Sequence, residues 1–222
     1  MSLGFTLNSG VTIDPRARVA MFSDALDVIG LRDQVMSTAI KPLENEFTII
    51  GYASTLQFIE SADFDPHDPY SEAIDFIDAL EPLHCVVIST GMGLKSAFWG
   101  ELFSTAARGR GATGVICDGP VRDTSKIREI GFPTFANGTK PQDYKGRMRI
   151  QSSGQPVMCG GVLVGAGDLI VADEDGVVVI PAQNIDEVIQ LTNHRASQEN
   201  LVLKELQQGS RIREVWDKYH VL

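Results

Sequence analysis

Glu101, Arg122 and Asp123 are the side chains of this chain whose types and spacing are best suited to act together. Two carboxylates beside one guanidinium suit a hard divalent cation next to an anionic substrate. Oxygen ligands hold the cation, and the planar guanidinium can grip a carboxylate with two N–H groups. Two strand–loop–helix junctions would bring them together. The first runs from His84 to Glu101 (HCVVISTGMGLKSAFWGE) and the second from Thr113 to Asp123 (TGVICDGPVRD). In each, a short apolar strand (86–88, then 114–117) meets a glycine turn and then a helix. Parallel strands joined by a helix end on the same edge of a sheet, and open α/β sheets place ligands at that edge. The amides that open the first helix, near Gly100 to Phe103, would be unpaired there and could hold a carboxylate, aided by the helix dipole. By spacing alone, the Arg122–Asp123 pair also reads as a capping acid beside a solvated base, and Glu101 as an ordinary first-turn acid.

The surrounding pattern predicts the elements that position these residues. Residues 15–40 carry a helical stripe (Ala20, Phe22, Ala25, Leu26, Ile29) with Gly30 as a stop and Ser23 or Asp24 as an internal cap. A strand is expected over 47–53, a turn-rich loop from Asp63 and a helix over 70–80. Gly131 ends the helix after Asp123, and a short strand follows Phe132. From Arg147 the chain changes to short strands parted by glycine turns (147–151, 157–164, 168–172 and 177–180), with Asp173-Glu174-Asp175-Gly176 as a hairpin turn. Gly160-Gly161 reads as a bulge or a close approach. A long helix over about 182–208 ends at Gly209, and a polar helix over 211–219 follows. This predicts one layered, mixed α/β domain spanning residues 1–222, with arms over about 1–45 and 182–222. Arms of this kind pack on neighbouring subunits, so a homo-oligomer is expected.

Composition narrows the function. With 222 residues and 43% hydrophobic content, the chain can bury a sizeable core. A net charge of −10 argues against nucleic-acid binding, which needs basic patches. No apolar run approaches the roughly 18 residues of a membrane span, and the N-terminal residues show no signal-peptide pattern. Met1-Ser2-Leu3 reads as a cloning remnant. Cys85, Cys117 and Cys159 are widely spaced in apolar runs, which fits reduced thiols in a cytoplasmic core. No thiolate or imidazole zinc motif is present among them and the scattered histidines. Gly91-Met92-Gly93 follows a strand as in nucleotide-binding turns, but Ser96 replaces the third glycine, so a NAD or S-adenosylmethionine site is a weak alternative. Lys95 as a Schiff-base lysine is another weak alternative, because its sequence neighbours lack the apolar setting such a lysine needs.

Gly100-Glu101-Leu102-Phe103, the 20 residues between Glu101 and Arg122, and Asp118-Gly119-Pro120-Val121-Arg122-Asp123 together resemble the RraA-like family. This family includes the 4-hydroxy-4-methyl-2-oxoglutarate / 4-carboxy-4-hydroxy-2-oxoadipate aldolases and regulators of ribonuclease E. Ser23 to Asp27, Val164 to Asp168 and Ala172 to Val177 extend the resemblance across most of residues 20–182. The resemblance implies a swivelling β/β/α fold, assembly as homotrimers or hexamers, and, in the aldolase branch, a magnesium or manganese ion without a Schiff base. It implies Asp123 as metal ligand, Arg122 as the clamp on a pyruvyl carboxylate, and amides of Leu102 and Phe103 on the substrate. Glu101 stands where the aldolases carry aspartate, so it would ligate the metal directly or through water. Glu199 is the candidate for an acid reaching the metal from a neighbouring subunit. The ribonuclease regulators resemble the core without long arms, so the arms favour the aldolase branch. The implied activity is cleavage of a 4-hydroxy-2-oxo acid to pyruvate, with oxaloacetate decarboxylation as a side reaction. The alternative is a non-catalytic regulator that binds a protein partner.

Overall fold

The computed structural model describes residues 5–7 and 10–221, so the reading of Met1-Ser2-Leu3 lies outside the described residues. In chain order the elements are α1 (Val19–Val28), β1 (Lys41–Pro42), β2 (Ile49–Glu60), α2 (Ser71–Asp78), β3 (His84–Ser89), α3 (Glu101–Gly109), β4 (Gly114–Cys117), α4 (Thr124–Ile130) and β5 (Thr134–Ala136). There follow β6 (Met148–Ser153), β7 (Val157–Cys159), β8 (Val162–Val164), β9 (Leu169–Asp173), β10 (Gly176–Ile180), α5 (Ile185–Gln207) and α6 (Ile212–Tyr219). They divide into two compact units, one of residues 33–182 and one that joins residues 1–32 to 183–222.

The central unit is built on an eight-stranded mixed sheet in the order β1-β5-β4-β3-β2-β9-β10, with β6 also on β2. β2 through β5 are parallel neighbours, β2 to β3, β3 to β4 and β4 to β5. α2, α3 and α4 are the crossovers between them, as parallel pairing requires. β3 is buried on both faces, and its alternation sorts side chains into two cores. Val86 and Ile88 join Phe98, Trp99 and Ile77 on the helix side. Cys85 and Val87 join Ile116, Phe135, Val177 and Val179 on the other. The three cysteines are free and buried in these cores. Burial pushes all three thiols up, so they stay neutral and unreactive.

Three expectations change in the folded chain. The N-terminal helix covers only 19–28 of the anticipated 15–40, since Gly30 at φ +83° ends it and the chain beyond runs as loop and short strand. β2 continues to Glu60, well past the apolar run that ends at Ala53. It does so because its polar residues find partners: Ser54 Oγ lies 3.0 Å from His84 Nδ1, Thr55 Oγ1 donates to Gln155 O at 2.7 Å, and Gln57 Nε2 donates to Phe58 O at 2.9 Å. Its first half pairs with β9 and its second with β6, with a bulge between Gln57 and Phe58. Residues 157–164 are two strands, with Cys159 opposite Val162. Gly160 (φ +56°) and Gly161 (φ +86°) form the turn between them. A two-residue hairpin turn with both φ values positive is the type I′ geometry that glycine adopts without strain. The Asp173 to Gly176 hairpin stands where the sequence places it.

In the terminal unit α1 packs along α5 through Asp24 and Arg195, 2.9 Å apart, while Asn193 brackets the N-terminal segment by accepting from Asp14 N (2.7 Å) and donating to Thr12 O (2.8 Å). α6 folds back on α5 over Val202, Val215 and Val221. No helix among the described residues is long and apolar enough to cross a membrane.

Candidate functional site

Ile88 on β3 pairs with Cys117 on β4, so both strands end at one edge, and the loops 90–100 and 118–123 leave from there. Asp118 binds the two loops together. It is buried, and it accepts from Thr90 N (2.6 Å), Thr90 Oγ1 (2.7 Å) and Met92 N (3.4 Å). Burial raises its pKa, and those donated hydrogen bonds oppose the rise. The loops then run side by side, Phe98 N donating to Pro120 O (3.0 Å) and Arg122 N to Trp99 O (2.9 Å). Trp99 Nε1 donates to Ser104 Oγ (2.7 Å), and Ser104 Oγ to Gly100 O (2.9 Å), which locks the loop to the first turn of α3. The helix begins at Glu101, well beyond Gly93, so the Gly91-Met92-Gly93 turn lacks the adjoining helix N-terminus that a dinucleotide site uses.

Asp123 sits at the N-cap of α4 in the left-handed region (φ +56°, ψ +34°), which aspartate tolerates better than most residues. This conformation turns its carboxylate back towards the first junction, where Oδ2 accepts from Glu101 N at 3.3 Å. The acid of one junction thus satisfies an opening amide of the other helix. Arg122 Nε lies 3.7 Å from the same Oδ2, and Arg122 Nη1 lies 3.8 Å from Asp143 Oδ2. Tyr70 Oη donates to that Asp143 oxygen. Burial raises the Tyr70 pKa, and the Asp143 carboxylate adds to the rise. The hydroxyl therefore remains a donor throughout the neutral range.

These residues face a cavity of about 460 Å³. Gly100, Arg122, Asp123 and Asp143 form one part of its wall, and Trp99, Leu102, Phe103, Ile74, Ile77 and Tyr144 much of the rest. Of the sequence-derived candidates, Gly100, Leu102, Phe103, Arg122 and Asp123 meet at this cavity. Glu101 opens α3 as expected, but the cavity wall is made by its neighbours. Glu199 lies on α5 in the terminal unit and accepts from Arg195 Nε at 2.8 Å. Lys95 is paired with Glu60 on the surface, which is not the desolvated setting of a Schiff-base lysine. Sequence reasoning missed Tyr70 and Asp143. They lie 73 positions apart and meet only through folding. The one local signal was an acid-aromatic pair, Asp143-Tyr144, shortly after Lys140-Pro141.

Among the described residues no three His, Cys, Asp or Glu side chains form a metal-ligand cluster. That donor set does not fit zinc, which takes three or four protein ligands. It does fit magnesium or manganese, which keep most of their water and take one or two carboxylates plus groups from the substrate. Asp123, with a side chain 44% exposed beside Arg122, could hold such an ion.

Residues 19–179 match the family described as RraA-like, Aldolase/RraA. DlpA of Legionella pneumophila is 30% identical over 201 residues, covering 90% of this chain and 32% of DlpA, so the chain spans about a third of that relative. A protein of Halalkalibacterium halodurans named "Putative 4-hydroxy-4-methyl-2-oxoglutarate aldolase" is 33% identical over 168 residues, covering 76% of this chain and 74% of its own length. The solved structure of Streptomyces coelicolor RraAS2, titled an unusual member of the RNase ES inhibitor RraA protein family, superposes with a TM-score of 0.77 at 25% identity, covering 86% of this chain and 94% of that one. With its family match, its mixed sheet and the two junctions that share one cavity, this chain belongs to the RraA-like family.

Proposed function

We propose that this protein is a divalent-metal-dependent lyase that cleaves a 4-hydroxy-2-oxo acid to pyruvate. The observation that carries this reading is the Arg122–Asp123 pair on the wall of a cavity at the C-terminal edge of parallel strands. Arg122 grips the substrate carboxylate, and the amides that open α3 at Leu102 and Phe103 add donors to the same end. Asp123 holds the ion, with Glu101 acting through a water. When bound, magnesium or manganese supplies the Lewis acidity that stabilises negative charge on the 2-oxo group as the carbon–carbon bond breaks. Asp143, held by Tyr70, fixes the far side of the Arg122 guanidinium. In a homotrimer or hexamer, Glu199 of a neighbouring copy would be a further acid available to hold the ion.

The test is pyruvate release from oxaloacetate and from 4-hydroxy-4-methyl-2-oxoglutarate, followed with lactate dehydrogenase, with and without magnesium or manganese. Pyruvate that requires the metal supports the reading. Arg122→Lys keeps the charge but loses the two-pronged grip. It is expected to raise KM for the 2-oxo acid roughly 10- to 100-fold, the size of one or two charge-assisted hydrogen bonds, with a smaller change in kcat. Tyr70→Phe keeps the ring that packs edge-on against Tyr144 at 5.7 Å but removes the donor to Asp143. A rise in KM of about three- to tenfold is expected, less than the full value of a charge-assisted hydrogen bond because Tyr70 reaches the substrate only through Asp143 and Arg122. No change in KM would mean that Asp143 does not position Arg122. The raised Tyr70 pKa sets the pH dependence of this positioning. A donor whose folded-state pKa lies above its ordinary value contributes fully below that value, and the contribution is lost only as pH rises through the raised one. The contribution of Tyr70 to KM should therefore stay constant between about pH 7 and 9.

A second reading is a regulator that binds a protein partner. The name of the Streptomyces coelicolor relative favours it, as does the net charge of −10, which would suit a basic partner. A pull-down that captures a tight partner, together with no response to magnesium or manganese in a binding titration, would favour this reading over the lyase.

A further inference from the structure

We propose that the cavity beside Arg122 and Asp123 selects 2-oxo acids whose far end is an apolar alkyl or aryl group over those that carry a second carboxylate. The reaction assigned to such a substrate rests on the lyase reading above, whereas the selection is a property of binding and is tested separately. Among the described residues of this chain, the cavity wall contains one cation, Arg122, against three carboxylates, Asp78, Asp123 and Asp143. Arg122 is committed to the first carboxylate of any 2-oxo acid. A second carboxylate would meet no cation on the wall, and Asp78 would repel it. Moving a carboxylate out of water without a partner is costly.

The rest of the wall offers the opposite chemistry. Ile74 and Ile77 of α2 face the cavity together with Leu102, Phe103 and Ala106 of α3. Leu102 is 82% exposed and Ile74 46% exposed, although both border a concave site. Phe103 packs against Trp99 with ring centroids 5.6 Å apart, which stiffens this arm. A volume of about 460 Å³ lies within the range of small-molecule sites. It leaves room beyond a four-carbon oxo acid for a ring or a branched alkyl group. Each methylene buried there should multiply affinity about fourfold.

The corresponding reaction balances without a further reactant. The C4 hydroxyl loses its proton to a base, the C3–C4 bond breaks, and its electron pair passes to the three-carbon fragment as the pyruvate enolate. C4 becomes the carbonyl carbon of an alkyl or aryl aldehyde, and a proton added to C3 gives pyruvate.

Two oxo acids that lack the C4 hydroxyl, and so cannot be cleaved in this way, separate selection from turnover. 2-Oxo-4-phenylbutanoate and 2-oxoglutarate share the Arg122 end and differ in the far group. Calorimetric titration of the full chain with magnesium present should show the phenyl compound binding at least tenfold more tightly. Ile74→Arg, at a half-exposed helix position, adds a second cation to the wall and should shift the ratio towards 2-oxoglutarate by roughly tenfold, the size of a charge-assisted hydrogen bond. Pyruvate release is then compared for 4-hydroxy-4-phenyl-2-oxobutanoate and 4-hydroxy-4-methyl-2-oxoglutarate. Equal or tighter binding of 2-oxoglutarate by the unmodified chain, or no binding of either compound, overturns the selection. Tight binding of the phenyl compound without pyruvate from either hydroxy acid upholds the selection and overturns the lyase reading.

Discussion

Asp123→Asn is expected to lower metal-dependent pyruvate release at least about 100-fold, which corresponds to about 3 kcal/mol of lost transition-state stabilisation. Asparagine is the informative replacement because the backbone stands at φ +56°. Asparagine enters the left-handed region about as readily as aspartate, and its amide oxygen can still accept from Glu101 N, which lies 3.3 Å from the native carboxylate. The fold should therefore persist, with a Tm change of no more than about 4 °C. What is lost is the negative charge, and a neutral amide is a poor ligand for a hard cation. A manganese titration should lose its binding heat in parallel with turnover. Asp123→Ala should be as inactive but less stable, since it forces a β-carbon residue without a polar side chain into the left-handed region and removes the acceptor at the start of α3. Full activity with unchanged manganese affinity in Asp123→Asn would remove Asp123 from the metal site.

Gly100→Ala is expected to reduce kcat/KM by about 10- to 100-fold while leaving the fold in place. The backbone at Gly100 is extended (φ −158°, ψ −169°), a conformation that alanine also adopts, so the substitution acts through space. Its Cβ would stand 2.7 Å from Asp123 Oδ2, 3.2 Å from Arg122 Cγ and 3.4 Å from Arg122 Nε. The closest of these atoms is the free end of a short side chain, which can swing aside at little cost in stability. Swinging aside, however, moves the ion ligand and crowds the carboxylate clamp at once. A displacement of about 1 Å at reacting groups can cost two orders of magnitude in rate. The matched control is Gly109→Ala at the other end of α3, where an added Cβ meets nothing within 4 Å. That change should leave kcat/KM unaltered and raise stability by about 0.4–1 kcal/mol. Equal kinetics for Gly100→Ala and Gly109→Ala would show that turnover does not depend on the space Gly100 leaves.

The parallel core and its site-bearing edge were legible because their signals are local. Each apolar run of β3 and β4 is short and bounded by a glycine turn, and each helix that follows is compact, so strand direction and the position of the edge follow from chain order. The same holds for the helix stops at Gly30, Gly131 and Gly209, all at positive φ, and for the β9–β10 hairpin. Legibility failed where a residue's partner is distant. The polar half of β2 looked like the end of a strand because nothing in its own sequence shows that His84 and Gln155 would satisfy Ser54 and Thr55. Residues 157–164 looked like one strand because an apolar run carries no mark of where it reverses except its two glycines.

At the candidate site the division has the same cause. The convergence of Arg122 and Asp123 with the backbone at Gly100 follows from local pattern, since one helix and one strand of fixed geometry separate them. What surrounds them was set by the packing of the folded chain. It brought Tyr70 and Asp143 to the outer side of Arg122 and set the apolar faces of α2 and α3 around the cavity. Short-range backbone geometry is encoded in local pattern, whereas the meeting of side chains from separate segments depends on how helices pack over the sheet, which no local pattern records.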